Sequence, residues 1–285
     1  MRKVDGDLRV EGKLLFDWKA DALAPRLRRV FEGTVPTAAW QAVRAQTGDP
    51  GARAPRLVFS GSSSSAATKG AAGAGAETLL VLHRSQPLLA MLKALNGYSN
   101  NIFAPFADAA GGIRAVETAI RVGLPAAYQQ ELVLGDGAGA HPKNRMSPRA
   151  TVEILRQLAA ELAPHGLDLA DVLPVAGIDD GTLKKRLVGP NGQGIVVAKT
   201  GTYGDYGACA LAGALRTPSH GLVYFAILNR GVPIEEGRRR QDAFVRVLVD
   251  SLGAEPWSYL RDDAPAFTRA EVVPAAQATT AAATP

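Results

Sequence analysis

Three apolar, strand-like runs follow one another between Gly194 and Asn229, and this stretch constrains the fold more than any other part of the chain. They read GIVVAK, YGACALAGALR and GLVYFAILN, and only TPSHG connects the second to the third. A link that short joins antiparallel neighbours. Segments 195–200, 207–216 and 221–228 therefore predict one antiparallel sheet, and the helical pattern over about Arg239–Leu252 predicts a cover for it. The 285 residues are 47% hydrophobic and 21% charged, enough for one large or two small domains with a substantial core. No apolar run approaches the roughly 18 residues of a membrane span, so no transmembrane segment is expected.

Upstream, DLRVEGKLLFDW alternates like a strand with a turn, Asp21–Phe31 reads as a short basic helix, and PRLVFSG as a strand. Ser60–Glu77 consists almost wholly of small residues and reads as a flexible linker. TLLVLHR is a further short strand. SQPLLAMLKALNG is a helix, with Ser85 as its N-cap, Pro87 in its first turn and Gly97 at its end. A second helix covers Ile113–Val122, and a third begins at the cap Ser147 with Pro148 and runs to about Leu162. Between them ELVLGDGAG is a strand entering a glycine turn, and LPVAGIDDGTLKKR is loop-like. The tail, VVPAAQATTAAATP, has the composition of disorder. Domain boundaries follow: 1–77, a strand-rich piece plus linker; 78–255, the main domain; 256–285, a disordered tail.

The formal charge of +5 suits an anionic partner, cell wall or nucleic acid, but the basic residues are scattered. Arg238–Arg240 reads as a solvated group at an unfavourable helix end. Cys209 is the only cysteine and reads as a small buried hydrophobe. No metal cluster is spelled out and no cofactor is expected.

The chemistry gathers around AKTGTYG. Side chains alternate along a strand, so Ile195, Val197 and Lys199 share a face, and Lys199 leaves it as a point charge in lowered dielectric, suited to a carboxylate. Gly201 removes a side chain that would block an extended peptide, and the Thr202 N–H is placed as an oxyanion donor. One hundred residues earlier, YSNN follows the 88–96 helix and supplies Ser99 and Asn101 in a Ser-x-Asn pattern, which by itself arises about once per chain.

SQPLLAMLKALNGYSNNIFA, LVLGDGAG, LPVAGIDDGTLKKR and AKTGTYG, in this order over about residues 75–252, resemble the class C penicillin-binding proteins, the serine D-alanyl-D-alanine carboxypeptidase/endopeptidases. The resemblance implies an α/β (α+β) penicillin-binding/β-lactamase-like transpeptidase fold: an antiparallel sheet flanked by helices, with a partial inserted strand-rich region at the N-terminus. It implies that Ser99 relays a proton to the leaving amine and that Asn101 orients its neighbours and binds a substrate amide. Lys199 would hold the carboxylate of a peptidoglycan stem ending in D-Ala-D-Ala, helped by the Thr200 and Thr202 hydroxyls. The Thr202 N–H would supply half an oxyanion hole, and Gly201 and Asp136 would line the substrate site.

Two departures stand out. The family's glycine turn, Asp-Gly-Ser-Gly-Leu-Ser, is here Asp136-Gly137-Ala138-Gly139-Ala140-His141. None of the eleven serines has a lysine three positions on; Ser65, with Lys69 four on, comes nearest and lacks an amphipathic helix. No nucleophile is therefore found, and the chain alone is expected to be inactive and to bind β-lactams covalently only if a nucleophile segment is present. The opening residues carry no signal peptide, whereas the family implies a periplasmic or extracytoplasmic site. The chain reads either as a C-terminal portion of a serine peptidase or as a catalytically silent peptidoglycan-binding homologue. A basic nucleic-acid binder is the weakest alternative, since no nucleic-acid motif is present.

Overall fold

The computed structural model describes residues 2–11, 23–35, 37, 40–41, 44–45, 50–51, 53–54, 56–66, 81–84, 86–98, 103–189, 192–261 and 271–274. The chain divides into two compact units, Met1–Gln86 with Ala264–Pro285, and Pro87–Asp263.

In the first unit, β1 (Arg2–Val4) pairs in parallel with β3 (Leu57–Phe59), and β2 (Leu8–Glu11) with β4 (Ser63–Ala66). Helix α1 (Leu23–Glu32) buries Leu23 and Ala24, and Arg28 donates to the carbonyls of Phe59 and Gly61. The expected linker thus contains a strand: an extended serine run satisfies its backbone by pairing, and Ser65 Oγ accepts the Ala24 N–H at 2.9 Å. That bond, on a strand, is what Ser65 does here. The expected disordered tail likewise contains β11 (Glu271–Pro274), antiparallel to β5 (Val81–Arg84).

The second unit opens with α2 (Leu88–Asn96), α3 (Phe103–Ala109) and α4 (Ile113–Gly123). Pro87 occupies the N-cap of α2, while Ser85, the expected cap, lies outside the described residues. A two-residue ladder, β6 (Leu132–Val133) with β7 (Arg145–Met146), precedes α5 (Pro148–Leu162). Helix α5 starts as its sequence demands: Ser147 Oγ accepts the Ala150 N–H and Pro148 fills the first turn.

The centre is the expected meander, β8 (Val196–Tyr203), β9 (Ala208–Thr217) and β10 (Gly221–Asn229), in the order β10-β9-β8. Val197, Ala212 and Ala214 face one core, with Leu155 and Leu162 of α5 and Leu169, Leu173 and Val175. Val196, Ala198, Leu211 and Leu215 face the other, with Val245 and Val249 of α6 (Ile234–Leu252) and Leu183 and Leu187. Ile195 precedes β8 and joins this second core, rather than the face of Val197. Each fully buried leucine contributes roughly 1.5–3 kcal/mol over exposure.

Helix α6 begins five residues before its expected start. Glu235 and Glu236 occupy its first turn and pair with Arg238, Arg239 and Arg240, so the arginines do not oppose the helix dipole. The main domain also reaches past residue 255: Trp257 is buried, and its indole N–H donates to Ile195 O at 2.9 Å.

Candidate active site

Among the described residues strand β8 is an edge, and its outer side is only half covered. Ala176 N donates to Val196 O and Ala198 N to Pro174 O, so the even-numbered residues aim their backbone groups away from β9. Among the described residues that outer pairing stops at Ala198. The same parity puts the N–H and C=O groups of Thr200 and Thr202 on the uncovered edge. Lys199 Nζ donates to Thr200 O at 2.8 Å, which brings the ammonium to this edge. Lys199 pairs with no carboxylate among the described residues, and burial lowers its pKa below the usual 10.5.

Gly201 has a different reason for being glycine from Gly181. A Cβ on Gly201 would meet only Ala210 Cβ at 3.6 Å, an ordinary contact, so packing does not require a glycine there. A Cβ on Gly181, at φ +117°, would lie 1.9 Å from Gly97 O. Gly181→Ala is therefore expected to destabilise the unit by roughly 1–3 kcal/mol, the scale of a strained backbone. Gly201→Ala should stay within about 0.5 kcal/mol of the parent while weakening any peptide laid along β8. Thermal melts beside a peptide titration check both.

The turn 180–182 ties the end of α2 to β8. Thr182 N donates to Gly97 O at 2.8 Å, and Thr182 Oγ1 lies 2.6 Å from Thr200 Oγ1. Gly97 ends α2 in right-handed geometry, φ −58°, with the Asp180 carbonyl where a Cβ would sit, so close approach explains it. Ser99 and Asn101 lie outside the described residues.

Beneath the turn is a buried network that the sequence analysis did not single out. Lys93 Nζ sits 2.6 Å from Asp179 Oδ2 and donates to the carbonyls of Ala170 and Leu173 at 2.7 and 2.6 Å. Asp179 also accepts from Val175 N and Tyr259 Oη, and the Tyr259 ring lies 4.2 Å from Lys93 Nζ. Burial lowers the Lys93 pKa, and Asp179 partly offsets this.

Asp136 holds the glycine turn. Its carboxylate accepts from Gly139 N, Ala140 N and Asn144 Nδ2, which fixes the shape of the loop. Thr200 is nearly buried, whereas Thr202 is exposed and its hydroxyl accepts from Arg238 Nη2 at 3.3 Å. Cys209 is buried, with Gln241 Nε2 donating to its sulfur.

The D-Ala-D-Ala carboxypeptidase 3 (S13) family matches over residues 33–250. The chain belongs to this family. The chain is 36% identical over 126 residues to a D-alanyl-D-alanine carboxypeptidase of Actinomadura sp., covering 43% of this chain and 22% of that one. To carboxypeptidase DacB of Mycolicibacterium smegmatis it is 30% identical over 182 residues, 58% of this chain and 38% of that one. The chain thus spans less than two fifths of either relative. In fold it is similar to the penicillin G-acylated predatory endopeptidase Bd3459 of Bdellovibrio bacteriovorus, solved with the immunity protein Bd3460: TM-score 0.76, 22% identity, 92% of this chain and 71% of that one. The mixed α/β fold with its antiparallel sheet is therefore an S13 peptidase fold.

Proposed function

We propose that this S13 chain carries the substrate-docking part of a serine D-alanyl-D-alanine carboxypeptidase/endopeptidase that acts on peptidoglycan stem peptides outside the cytoplasm. The observation that carries the reading is Lys199: among the described residues it is a partly buried cation without a carboxylate partner, on a strand edge whose next backbone donors have no backbone partner. An extended peptide adds along such an edge by main-chain hydrogen bonds. Its C-terminal carboxylate meets the ammonium, and the Thr202 N–H faces the scissile carbonyl. In the reaction a serine oxygen bonds to the carbonyl carbon of the penultimate D-alanine, the C–N bond breaks, and the amine leaves with a proton relayed through Ser99. Water then hydrolyses the ester. Ser99 follows Gly97 by two positions in the sequence. Gly97 is bonded to Thr182, and Thr182 to Thr200, which supports Ser99 and Asn101 converging on Lys199. Asp136 shapes the turn lining the same site.

No serine of this chain has a lysine three positions on. The expected result of incubating it with labelled penicillin is an unmodified intact mass. A stoichiometric adduct would overturn the assignment and make Ser65 the first residue to examine. The missing Ser-x-x-Lys pattern equally favours a silent homologue that binds stem peptides. Coding sequence upstream of Met1 separates the two: an in-frame signal peptide and Ser-x-x-Lys helix assign the enzyme, their absence the binder.

A further inference from the structure

The charge of the chain is unevenly divided. Pro87–Asp263 has eighteen basic and eighteen acidic residues, and the rest of the chain fourteen and nine, so the whole formal +5 belongs to the first unit. Ten of those fourteen are arginines, whose planar forks match the oxygens of a phosphate. Part of this charge is ordered along α1. Arg26 and Arg29 are exposed and stand on one ridge of the helix, about 4.5 Å apart along its axis. Glu32 is next on that ridge, but its carboxylate turns to Arg28 at 2.9 Å and to the Phe59 N–H at 3.2 Å. Arg56 takes its place at the surface: it is exposed and donates to the Glu32 carbonyl at 2.7 Å, which uses one of its five donors. Asp5 and Asp7 are engaged elsewhere, by Lys3 and Ser62. Three guanidinium groups thus follow one another along α1, with the exposed Val30 beside them, while the Phe31 ring packs on Phe59.

We propose that the α1 face of the first unit binds a linear polymer of phosphodiesters, a polyol phosphate of the cell envelope, through Arg26, Arg29 and Arg56. A row of cations suits a repeating anion, because each phosphate it meets releases condensed counterions. Single-stranded nucleic acid is held as well by aromatic rings that stack on its bases, and this row offers only valine between its arginines. The choice of an envelope polymer also rests on the extracytoplasmic reading proposed above, whereas the row of guanidinium groups does not. The first unit would then hold the chain on the wall by charge, while the second, with no net charge, reads the stem peptide by short-range contacts.

The test titrates the full chain with a synthetic poly(glycerol phosphate), followed by fluorescence anisotropy at about 50 and about 200 mM salt. The triple variant Arg26→Gln, Arg29→Gln, Arg56→Gln is compared with Arg239→Gln, Arg240→Gln, Arg246→Gln, which removes as much charge from the other unit. Salt is expected to weaken binding by the parent, and the loss of three phosphate contacts should remove about 20- to 40-fold of that effect. The control triple should keep it. Arg29→Gln alone should lower the slope of log affinity against log salt by about one, and it decides the matter if circular dichroism shows the triple variant unfolded. Affinity for N-acyl-D-Ala-D-Ala should be the same in every variant. A parent that binds the polymer but not this peptide overturns the docking strand and leaves the arginine row standing. Equal weakening in both triple variants overturns the proposal by reducing the effect to net charge. So does a lack of saturable binding to the polymer, and so does tighter binding of single-stranded DNA of equal charge.

Discussion

Replacing Lys93 with methionine is expected to cost the 87–263 unit about 3–5 kcal/mol of stability, the scale for removing one partner of a buried ion pair. Lys93 and Asp179 retain only 14% and 12% side-chain exposure. Without the ammonium, Asp179 keeps the Val175 N–H and the Tyr259 hydroxyl as donors but loses its counter-charge. The Ala170 and Leu173 carbonyls lose a donor as well. Burial already presses the Lys93 pKa down, so the fold spends free energy to keep a cation here, and the pair is retained for what it connects: α2 to the 170–182 loop. Asp179→Leu alone should be similarly costly, while the double variant with Lys93→Met should cost less than the sum of the two. A urea titration followed by Trp257 fluorescence, with Trp18 and Trp40 changed to phenylalanine, reads this out. Simple additivity would show that the pair is not coupled.

Lys199→Met should act in the opposite sense on stability. Burial depresses the Lys199 pKa without any compensating carboxylate among its causes. The folded state therefore favours the neutral amine relative to the unfolded chain, whose lysine titrates near 10.5. Below the depressed pKa the charge destabilises the fold, and the penalty fades as pH rises through that pKa toward 10.5. Methionine keeps the stem and removes the charge, so the variant should gain about 0.5–2 kcal/mol at neutral pH, the usual reward for relieving a functional site. The same change should weaken binding of an acyl-D-Ala-D-Ala peptide by about 1.5–3 kcal/mol, roughly 12- to 150-fold. In the parent, affinity for the peptide acid should stay level below the Lys199 pKa and fall as pH rises through it. A destabilised Lys199→Met, or a pH-independent affinity, would show that the lysine is a structural residue.

The sheet was legible because its strands read as apolar runs of eight to ten residues and a short turn joins two of them, and α5 because Ser147 and Pro148 mark its start. The start of α6 was not. Gly237 resembles a break in the helix, yet it is buried where a Cβ would meet Cys209 Sγ at 2.4 Å, so glycine is needed there for the helix to seat on β9. Short strands such as Ser63–Ala66 and Glu271–Pro274 carry no pattern of their own, since pairing partners distant in sequence define them. At the site, Lys199 and the two threonines were readable from one strand's alternation. The Lys93–Asp179 pair and the Thr182–Thr200 contact were not, because residues 86 and 18 positions apart meet only through tertiary folding. Val175, which donates to Asp179 and bridges to Val197, shows how the loop is held against β8.

The account turns on the claim that the uncovered edge at Thr200 and Thr202, beside Lys199, receives the end of a peptide. A residue-resolved nuclear magnetic resonance titration of the chain with N-acyl-D-Ala-D-Ala tests it most directly. The predicted result is that the Thr200 and Thr202 backbone amides and the Lys199 ammonium shift together and saturably with the peptide acid. Shifts that gather elsewhere in the chain, with these three groups unmoved, would contradict it.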